Sequence, residues 1–457
     1  MELNGPTVLK FGGTSVKDAS AFRRVAEIVA ARREAMPVVV VSAMSRMTDA
    51  LLAGFQTAAA GDAAGAMAAL DAQFQRHAAV KEDLLGKEAP AMERFLTEAR
   101  DAVARLLQSA ASGAAPAAEL QDKVVSYGER MSSCLLAAVL RAQGLEAELV
   151  DARACIVTDE DYGRATPLMD QTEYRTRSRI EPLLAAGRIP VLGGFIGATE
   201  AGMTTTLGRG GSDYSAALIG AALDAREIQI WTDVSGVLTA DPRVVPAART
   251  IPRLSYAEAA ELAYFGAKVL HPKTIHPAVA KGIPFLICNS HAPQEAGTLI
   301  CSESEMSPGA VKSIAHKTGI TTVLITSGRM LGAYGFLRAL FEVFDRHLTV
   351  IDIVTTSEVS VSLSLDDDSA LPEILRDLQP LGAVEVECHR AVICIVGEGL
   401  RATPGVAGRL FSTIADVNVS LISQGASRIN LTFVTDEAVV NDVVCRLHQA
   451  FFESGPE

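Results

Sequence analysis

The sequence predicts an α/β fold, a largely parallel sheet between helices, followed by two small α+β domains. Three observations carry this expectation. Up to about residue 305, short aliphatic runs alternate with segments of helical periodicity, the pattern of strands buried on both faces. Near CSESEMSPGAVK (301–312) polarity rises and a Pro-Gly pair interrupts the chain, which marks a linker. Beyond it the chain repeats itself: residues 335–363 align without a gap with residues 405–433. The expected domains are therefore 1–305, 315–390 and 391–457, with the C-terminal residues packing into the first small domain.

The first strand lies in TVLKFGGTSVKDASAFRRVAEIV (7–29). Val8, Leu9 and Phe11 surround Lys10 in an extended apolar run that Gly12-Gly13 ends. Phe22, Val25, Ala26 and Val29 then recur at helical spacing and mark one apolar face, with Asp18 or Ser20 as its cap. The runs PVVVVSAM (37–44), IPVLGGFIGA (189–198), EIQIWTDVSGVL (227–238) and IPFLICNS (283–290) read as further buried strands. Residues 56–120 are alanine-rich with helical periodicity, broken near SAASGAAPAAE (109–119), and predict a helical subdomain with a surface loop. Each C-terminal repeat reads as glycine loop, amphipathic helix, strand, turn, strand. Gly335 matches Gly405, Leu340 matches Leu410, Phe341 matches Phe411 and Ser357 matches Ser427. Two copies are too few for a solenoid, but their sheets or helices can pair. Two readings stand for the pair: a regulatory module holding a small ligand between copies, or a dimerisation module without one.

Composition narrows the function. Apolar residues make up 49% of the 457 and aromatics only 5%, enough for large aliphatic cores. A net charge of −13 argues against nucleic acid or an anionic membrane as the main partner. No apolar run approaches the roughly 18 residues of a membrane span, and no signal peptide is expected ahead of a strand that begins near Thr7. Seven scattered cysteines, odd in number and without a C-x-x-C pair, suit a reducing cytoplasm and argue against a structural zinc site. No protein-held metal is expected.

The motifs ask for a specific substrate chemistry. A glycine pair at a strand-to-helix turn lets backbone N–H groups approach an anion, the helix N-terminus adds favourable dipole, and Lys10 supplies a mobile charge for phosphate. This is not a Walker A loop, in which the lysine follows the glycines. In TTTLGRGGSDY (204–214), Arg209 can grip a carboxylate in a fork, the Gly210-Gly211-Ser212 turn can hold an anion, and Asp213 can orient a lysine. In WTDVSGVLTADPR (231–243), Thr232 and Asp233 lie beyond the C-terminal end of a strand, where open α/β sheets bind nucleotides, and Arg243 can reach a polyphosphate. FGAKVLHPKTI (265–275) adds a second lysine, Lys268. VSYGERMSS (125–133) places Glu129 on a helix, where it can take a substrate ammonium, and Ser42, Ser45 and Thr48 follow a strand at a sheet edge. Carboxylate, ammonium and phosphate together describe ATP-dependent phosphorylation of an amino acid.

On KFGGTSV (10–16), the Ser-Ala and Thr48 segment, GER (128–130), TTTLGRGGSDY, WTDVSGV–TADPR, FGAKVLHP (265–272) and TTSEVSV (355–361), the whole chain resembles the aspartate kinases of the amino-acid kinase superfamily. The resemblance implies the amino-acid kinase fold followed by two ACT-like domains, and transfer of the γ-phosphoryl of Mg·ATP to the β-carboxylate of L-aspartate. It implies catalytic roles for Lys10, Asp213 and Lys268. Ser42, Thr48, Glu129, Arg209, Gly210, Gly211 and Ser212 would bind aspartate. Lys10, Phe11, Gly12, Gly13, Thr232, Asp233, Leu238, Arg243, Lys268 and Val269 would line the nucleotide site, with Mg2+ accompanying ATP. The chain resembles most the lysine-inhibited, single-function members, which implies L-lysine as effector at Met330, Ala333, Phe336, Leu337, Val350, Ile351, Asp352, Ser357 and Glu358, and a homodimer through the ACT domains. No fused homoserine dehydrogenase domain is expected after residue 457.

Two departures stand out. Leu238 replaces the tyrosine that relatives usually carry, which predicts a modest effect on ATP affinity. Ala333 and Val350 replace serines, which removes two hydroxyls, each worth about 0.5–1.5 kcal/mol when satisfied, and predicts weakened lysine feedback or another effector. Two alternatives to an aspartate kinase remain: a sister kinase for another acidic amino acid, and a catalytically silent amino-acid sensor.

Overall fold

The computed structural model describes residues 5–86, 89–113, 115–266, 270, 272–303, 310–332 and 334–453. The chain forms two compact units, one from residues 1–237 and 269–302, the other from 238–268 and 303–457. Residues 238–268 thus pack with the C-terminal unit, although a boundary near 305 had been expected to keep them with the first.

In the first unit β1 (Thr7–Phe11) leads to α1 (Ala19–Ala30) and β2 (Pro37–Val41). Asp18 caps α1, its Oδ1 accepting the Ala21 N–H at 2.8 Å. The alanine-rich segment supplies α2 (Met47–Ala59), α3 (Ala63–Leu85), α4 (Pro90–Ser112), α5 (Ala117–Val125) and α6 (Tyr127–Ala142). Then follow β3 (Ala147–Val150), β4 (Val157–Thr158), α7 (Met169–Ala185), β5 (Ile189–Gly193), β6 (Ile196–Thr199), β7 (Thr204–Thr206), α8 (Gly211–Ala222) and β8 (Glu227–Thr232). The chain passes through the second unit as β9 (Arg253–Ser255) and α9 (Tyr256–Tyr264), and returns as α10 (Pro272–Ala280), β10 (Phe285–Asn289) and β11 (Thr298–Cys301). The expected single strand over 189–198 is two. It breaks at Gly194-Phe195, where Phe195 adopts φ 66° and a Cβ on Gly194 would stand 2.8 Å from the Ser212 Cβ.

The main sheet runs β3-β5-β2-β1-β8-β10-β11 across this unit, parallel except for β10–β11. Parallel strands bring all their C-terminal ends to one edge, so the segments after β1, β2, β5 and β8 meet there. Strand alternation does the rest. Leu9 and Phe11 join a buried cluster with Phe22, Val25 and Val29 of α1 and Leu136 and Leu140 of α6. Lys10 therefore points to the opposite face, against which α8 packs.

The second unit holds a six-stranded sheet. Its strands are β12 (Ser313–Thr326), β13 (Val354–Thr356), β14 (Ser360–Leu365), β15 (Ala383–Val396), β16 (Val419–Gln424) and β17 (Asn430–Asp436), in the order β13-β14-β12-β15-β17-β16. Helices α11 (Phe336–Arg346), α12 (Leu371–Leu378), α13 (Val406–Thr413) and α14 (Val440–His448) accompany them. The repeat read from the sequence is structural. Gly335 and Gly405 both precede their helix with left-handed φ of 83° and 86°, and Ser357 and Ser427 each accept the N–H two residues on at 3.3 Å.

Two cores form. Val323, Leu340, Phe344, Val361, Leu363 and Ile374 fill one, and Ile393, Leu410, Leu431, Phe433, Val443 and Leu447 the other. The C-terminal helix α14 thus packs into the second core, not the first as expected, and Ile314 from the start of β12 joins it there. β12 and β15 are long enough to serve both cores: Ser313–Lys317 pairs with Val392–Val396, and Ile320–Thr326 with Ala383–Arg390, with a register shift between. Beside them Ser255 and Glu258 close a capping box at α9. The buried Glu258 carboxylate also meets Lys312 Nζ at 3.1 Å and accepts the Glu398 N–H at 2.8 Å.

Candidate active site

The C-terminal edge of the main sheet carries a cleft of about 650 Å3. The loop after β1 forms one wall. Gly12 N–H donates to the Trp231 carbonyl, and the Gly13 carbonyl accepts from Ser45 N–H. A Cβ on Gly13 would stand 2.8 Å from the Ala43 carbonyl oxygen, so glycine is needed for the loops after β1 and β2 to approach. Ser42 and Thr48 lie on the second of these loops and on the first turn of α2. Ser132 of α6 anchors that loop by donating to the Ser42 carbonyl at 2.7 Å.

Lys10 and Asp213 meet across the cleft. Lys10 Nζ stands 2.6 Å from Asp213 Oδ1, an ion pair without hydrogen-bond alignment. Both side chains are largely buried. Asp213 sits in the first turn of α8, whose N-cap Gly210 has φ 73°. The N-terminus of that helix, the Gly210-Gly211-Ser212 turn and Lys10 all face one cleft, a concentration of positive potential suited to phosphate. Arg209 on the same loop is exposed and its guanidinium has no partner among the described residues, so its fork is free for a carboxylate.

Glu129 was expected on a helix, placed to take a substrate ammonium. It is buried. Its Oε1 accepts the Ala43 N–H at 3.2 Å, and Oε2 has no partner among the described residues. Burial pushes the carboxyl up to about 8. A buried acceptor left without a donor is costly, and a substrate ammonium would supply that donor. Tight packing fixes it: a Cβ on Gly193 would stand 3.0 Å from the Glu129 Cβ, and one on Gly128 2.8 Å from the Ala43 Cβ.

Asp122 was missed by the sequence reading. It is buried at the cleft wall. Oδ2 accepts from Gly163 N–H at 2.9 Å and Thr206 N–H at 2.8 Å, and Oδ1 accepts the Thr206 hydroxyl at 2.8 Å. One carboxylate thus ties α5 to the 159–166 loop and to β7, the strand leading to Arg209. Burial raises its pKa while these three donors oppose the shift. Phe195, with its left-handed backbone, also lines the cleft. Neither residue lies in a local motif; partners 84 and 41 positions away give Asp122 its place, and the Ser215 hydroxyl accepts the Phe195 N–H.

The other expected nucleotide residues divide. Phe11 does not offer its side chain, which is fully buried and stacks on Trp231 at 6.1 Å; only its backbone faces the edge. Thr232 and Asp233 end β8, Thr232 donating to Asp233 Oδ1 at 3.2 Å. Leu238 and Arg243 belong to the second unit, where Leu238 bridges to Thr250 and the exposed Arg243 pairs with Asp241 at 2.6 Å. Lys268 and Val269 lie outside the described residues.

Of the expected effector residues, Ala333 lies outside the described residues. Met330, Phe336 and Ile351 pack against the first small core, while Leu337, Val350 and Glu358 are exposed. Asp352 bonds the Tyr264 hydroxyl, and its carboxyl is raised by burial. The Ser357 hydroxyl contacts that of Ser360 at 2.7 Å.

Comparison with known proteins finds relatives over the whole chain. The sequence model of the amino acid kinase family matches residues 5–289, and that of an ACT domain residues 393–451. The chain is 38% identical to the lysine-sensitive aspartokinase 3 of Escherichia coli, over 98% of this chain and 99% of the relative. The crystal structure of E. coli aspartokinase III with aspartate and ADP superimposes with a TM-score of 0.83 at 38% identity, over 98% of this chain and 100% of that one. The structure of that enzyme with lysine and aspartate gives 0.82 at 38% identity, over 98% and 99%.

Proposed function

The chain belongs to the amino acid kinase family, among its aspartokinases, and from that premise we propose how its own residues carry the reaction. The enzyme phosphorylates the β-carboxylate of L-aspartate from ATP to give 4-phospho-L-aspartate, the first step of the aspartate pathway. A β-carboxylate with an ordinary pKa near about 3.9 is already ionised at neutral pH, so the nucleophile needs no general base. The protein's task is alignment and stabilisation of charge on the transferring group.

Each half of that task has residues in the cleft. Arg209 takes the α-carboxylate in its fork and Glu129 Oε2 takes the ammonium, with Ser42, Thr48 and the 210–212 turn closing around the substrate. These contacts leave the β-carboxylate directed toward Lys10. Asp213 fixes the Lys10 ammonium where negative charge gathers in the transition state. The nucleotide extends over the loop after β1 and the end of β8, where Thr232 and Asp233 stand. Mg2+ fits as an ion carried by the nucleotide. No group of three or more carboxylate, imidazole or thiolate ligands occurs among the described residues, and the phosphate-side carboxylate, Asp213, is committed to Lys10. Bound there, the ion would neutralise phosphate charge.

The domain assignment follows: a catalytic domain up to about residue 305, then ACT-like domains over 315–390 and 391–457. We further propose that the first ACT-like domain binds L-lysine as feedback effector, its ammonium directed to Asp352. The domain pair also joins two copies of the chain, since strongly exposed large apolar residues gather there: Tyr334, Leu348, Val350 and Leu331. No described helix is long and apolar enough to cross a membrane, and we place the enzyme in the cytoplasm.

The observation that carries the catalytic reading is the pairing of Lys10 with Asp213 in the same cleft as the partnerless Glu129 Oε2. ATP-dependent aspartyl hydroxamate formation, with and without millimolar L-lysine, tests it. Turnover abolished by lysine supports both site and effector. Turnover indifferent to lysine removes the lysine proposal alone, and no turnover overturns the catalytic assignment.

A further inference from the structure

A second cleft is bounded by α4, α5 and α6. It has a volume of about 420 Å3 and is lined by Arg105 of α4, Lys123 of α5, Arg130 of α6, Arg153, and the hydroxyl-bearing Ser109 and Thr204. Four cationic side chains share this one space and no carboxylate lines it. From outside the lining, Glu119 pairs with Lys123, and Asp151 with Arg153 at 2.6 Å. Arg130 stacks on the face of Tyr127, 4.2 Å from its guanidinium carbon, and the Asp151 carboxylate also acts on its charge. Arg105 has no side-chain partner among the described residues.

Four cations with only Glu119 and Asp151 as paired carboxylates leave the cleft positively charged, and an anion placed among them is attracted. Forked guanidinium groups favour phosphate or carboxylate oxygens, and the volume is that of a small-molecule site. With a net charge of −13 the rest of the chain repels an extended polyanion.

We propose that this cleft binds a small multivalent oxyanion, a phosphorylated or polycarboxylate metabolite, at Arg105, Lys123, Arg130 and Arg153. The site is distinct from the substrate cleft yet built on the same helices. Asp122 and Glu129 line one cleft, and their chain neighbours Lys123 and Arg130 line the other. β7 likewise gives Thr206 to the substrate cleft and Thr204 to the cationic one. An anion gripping Lys123 and Arg130 holds in place the helices that present Asp122 and Glu129 to the substrate. Only this last coupling rests on the kinase reading; the binding does not.

Equilibrium titration of the full chain with pyrophosphate and with tricarballylate, at matched ionic strength, tests the binding. Because Lys10 also attracts phosphate, the titration is run in a Lys10→Ala background. Pyrophosphate binding that survives Lys10→Ala and weakens at least about tenfold on adding Arg105→Glu supports the site. Lys123→Gln, a milder change on a different helix, must weaken it as well. Tricarballylate binding of the same sensitivity extends the ligand class to polycarboxylates; pyrophosphate binding alone restricts it to phosphorylated ligands. Binding that disappears in Lys10→Ala, or that ignores both Arg105→Glu and Lys123→Gln while the melting temperature is unchanged, overturns the proposal.

Discussion

Aspartate binding should release a proton, because Glu129 has to give one up. Its carboxyl is held up to about 8 by burial, with Oε2 lacking a partner. At pH 7 only roughly one molecule in ten of the free enzyme carries Glu129 ionised. If the substrate ammonium requires the carboxylate, apparent affinity is reduced by that fraction. Between pH 6 and pH 7 it should rise about tenfold, equal to about 1.4 kcal/mol, and flatten above pH 8. Calorimetric titration in buffers of different ionisation enthalpy should find about 0.9 proton released at pH 7. Glu129→Gln should flatten the profile and weaken binding by about 2–5 kcal/mol, the usual consequence of removing one partner of a buried charged pair. The same shift has a stability sign. The folded state holds a proton that the unfolded chain, with a carboxyl near 4.5, has released. Without ligand, stability therefore falls as pH rises from about 4.5, by about 3 kcal/mol at pH 7, and the loss levels off above 8. Affinity that is flat from pH 6 to 8, with no proton exchange, would refute the role given to Glu129.

Further outcomes are expected. Lys10→Met should lower kcat by about 10²–10³ with a smaller change in the aspartate KM; a loss under tenfold in steady-state kinetics would remove Lys10 from transition-state stabilisation. Asp122→Asn places an amide where two N–H groups and a hydroxyl now converge on a carboxylate, and should raise the aspartate KM about tenfold while kcat changes little. Equal effects on both constants would indicate general damage. Asp352→Ala should abolish lysine inhibition and leave uninhibited turnover intact, as a dose–response curve would show. Glu258→Gln strips the buried Lys312 of its carboxylate and should cost about 3–5 kcal/mol in urea unfolding; an unchanged midpoint would mean the pair contributes nothing net.

Local chemistry was legible in the sequence and three-dimensional convergence was not. Lys10 with its glycine pair, the cap at Asp18 and the repeat at Gly335 and Gly405 each have their cause within a few residues, so pattern alone located them. The position of Lys10 opposite α8 also follows from alternation along β1. Phe11 shows the limit. Its neighbour faces the ligand edge, and the same alternation turns its ring into the core against Trp231. Asp122 and Phe195 carry no local signature, because their roles depend on which distant loops fold onto them. The polarity shift near 305 marks a linker, but it does not show that residues 238–268 pack with the C-terminal unit, because those contacts are not encoded in polarity.

The way β12 and β15 span both small cores has a consequence for the history and engineering of the chain. The second copy uses Ser313–Lys317 as a strand, yet that segment precedes the first copy in the gene. The first copy is therefore nested inside the second, like a clause within a sentence. Its ends, Ile320 and Arg390, face each other across the ladder. Excising the span between them and joining the flanking strands through a short hairpin turn should leave a closed second copy. The same cut site could receive a foreign sensor, so a new feedback signal can be spliced in without redesigning what lies around it.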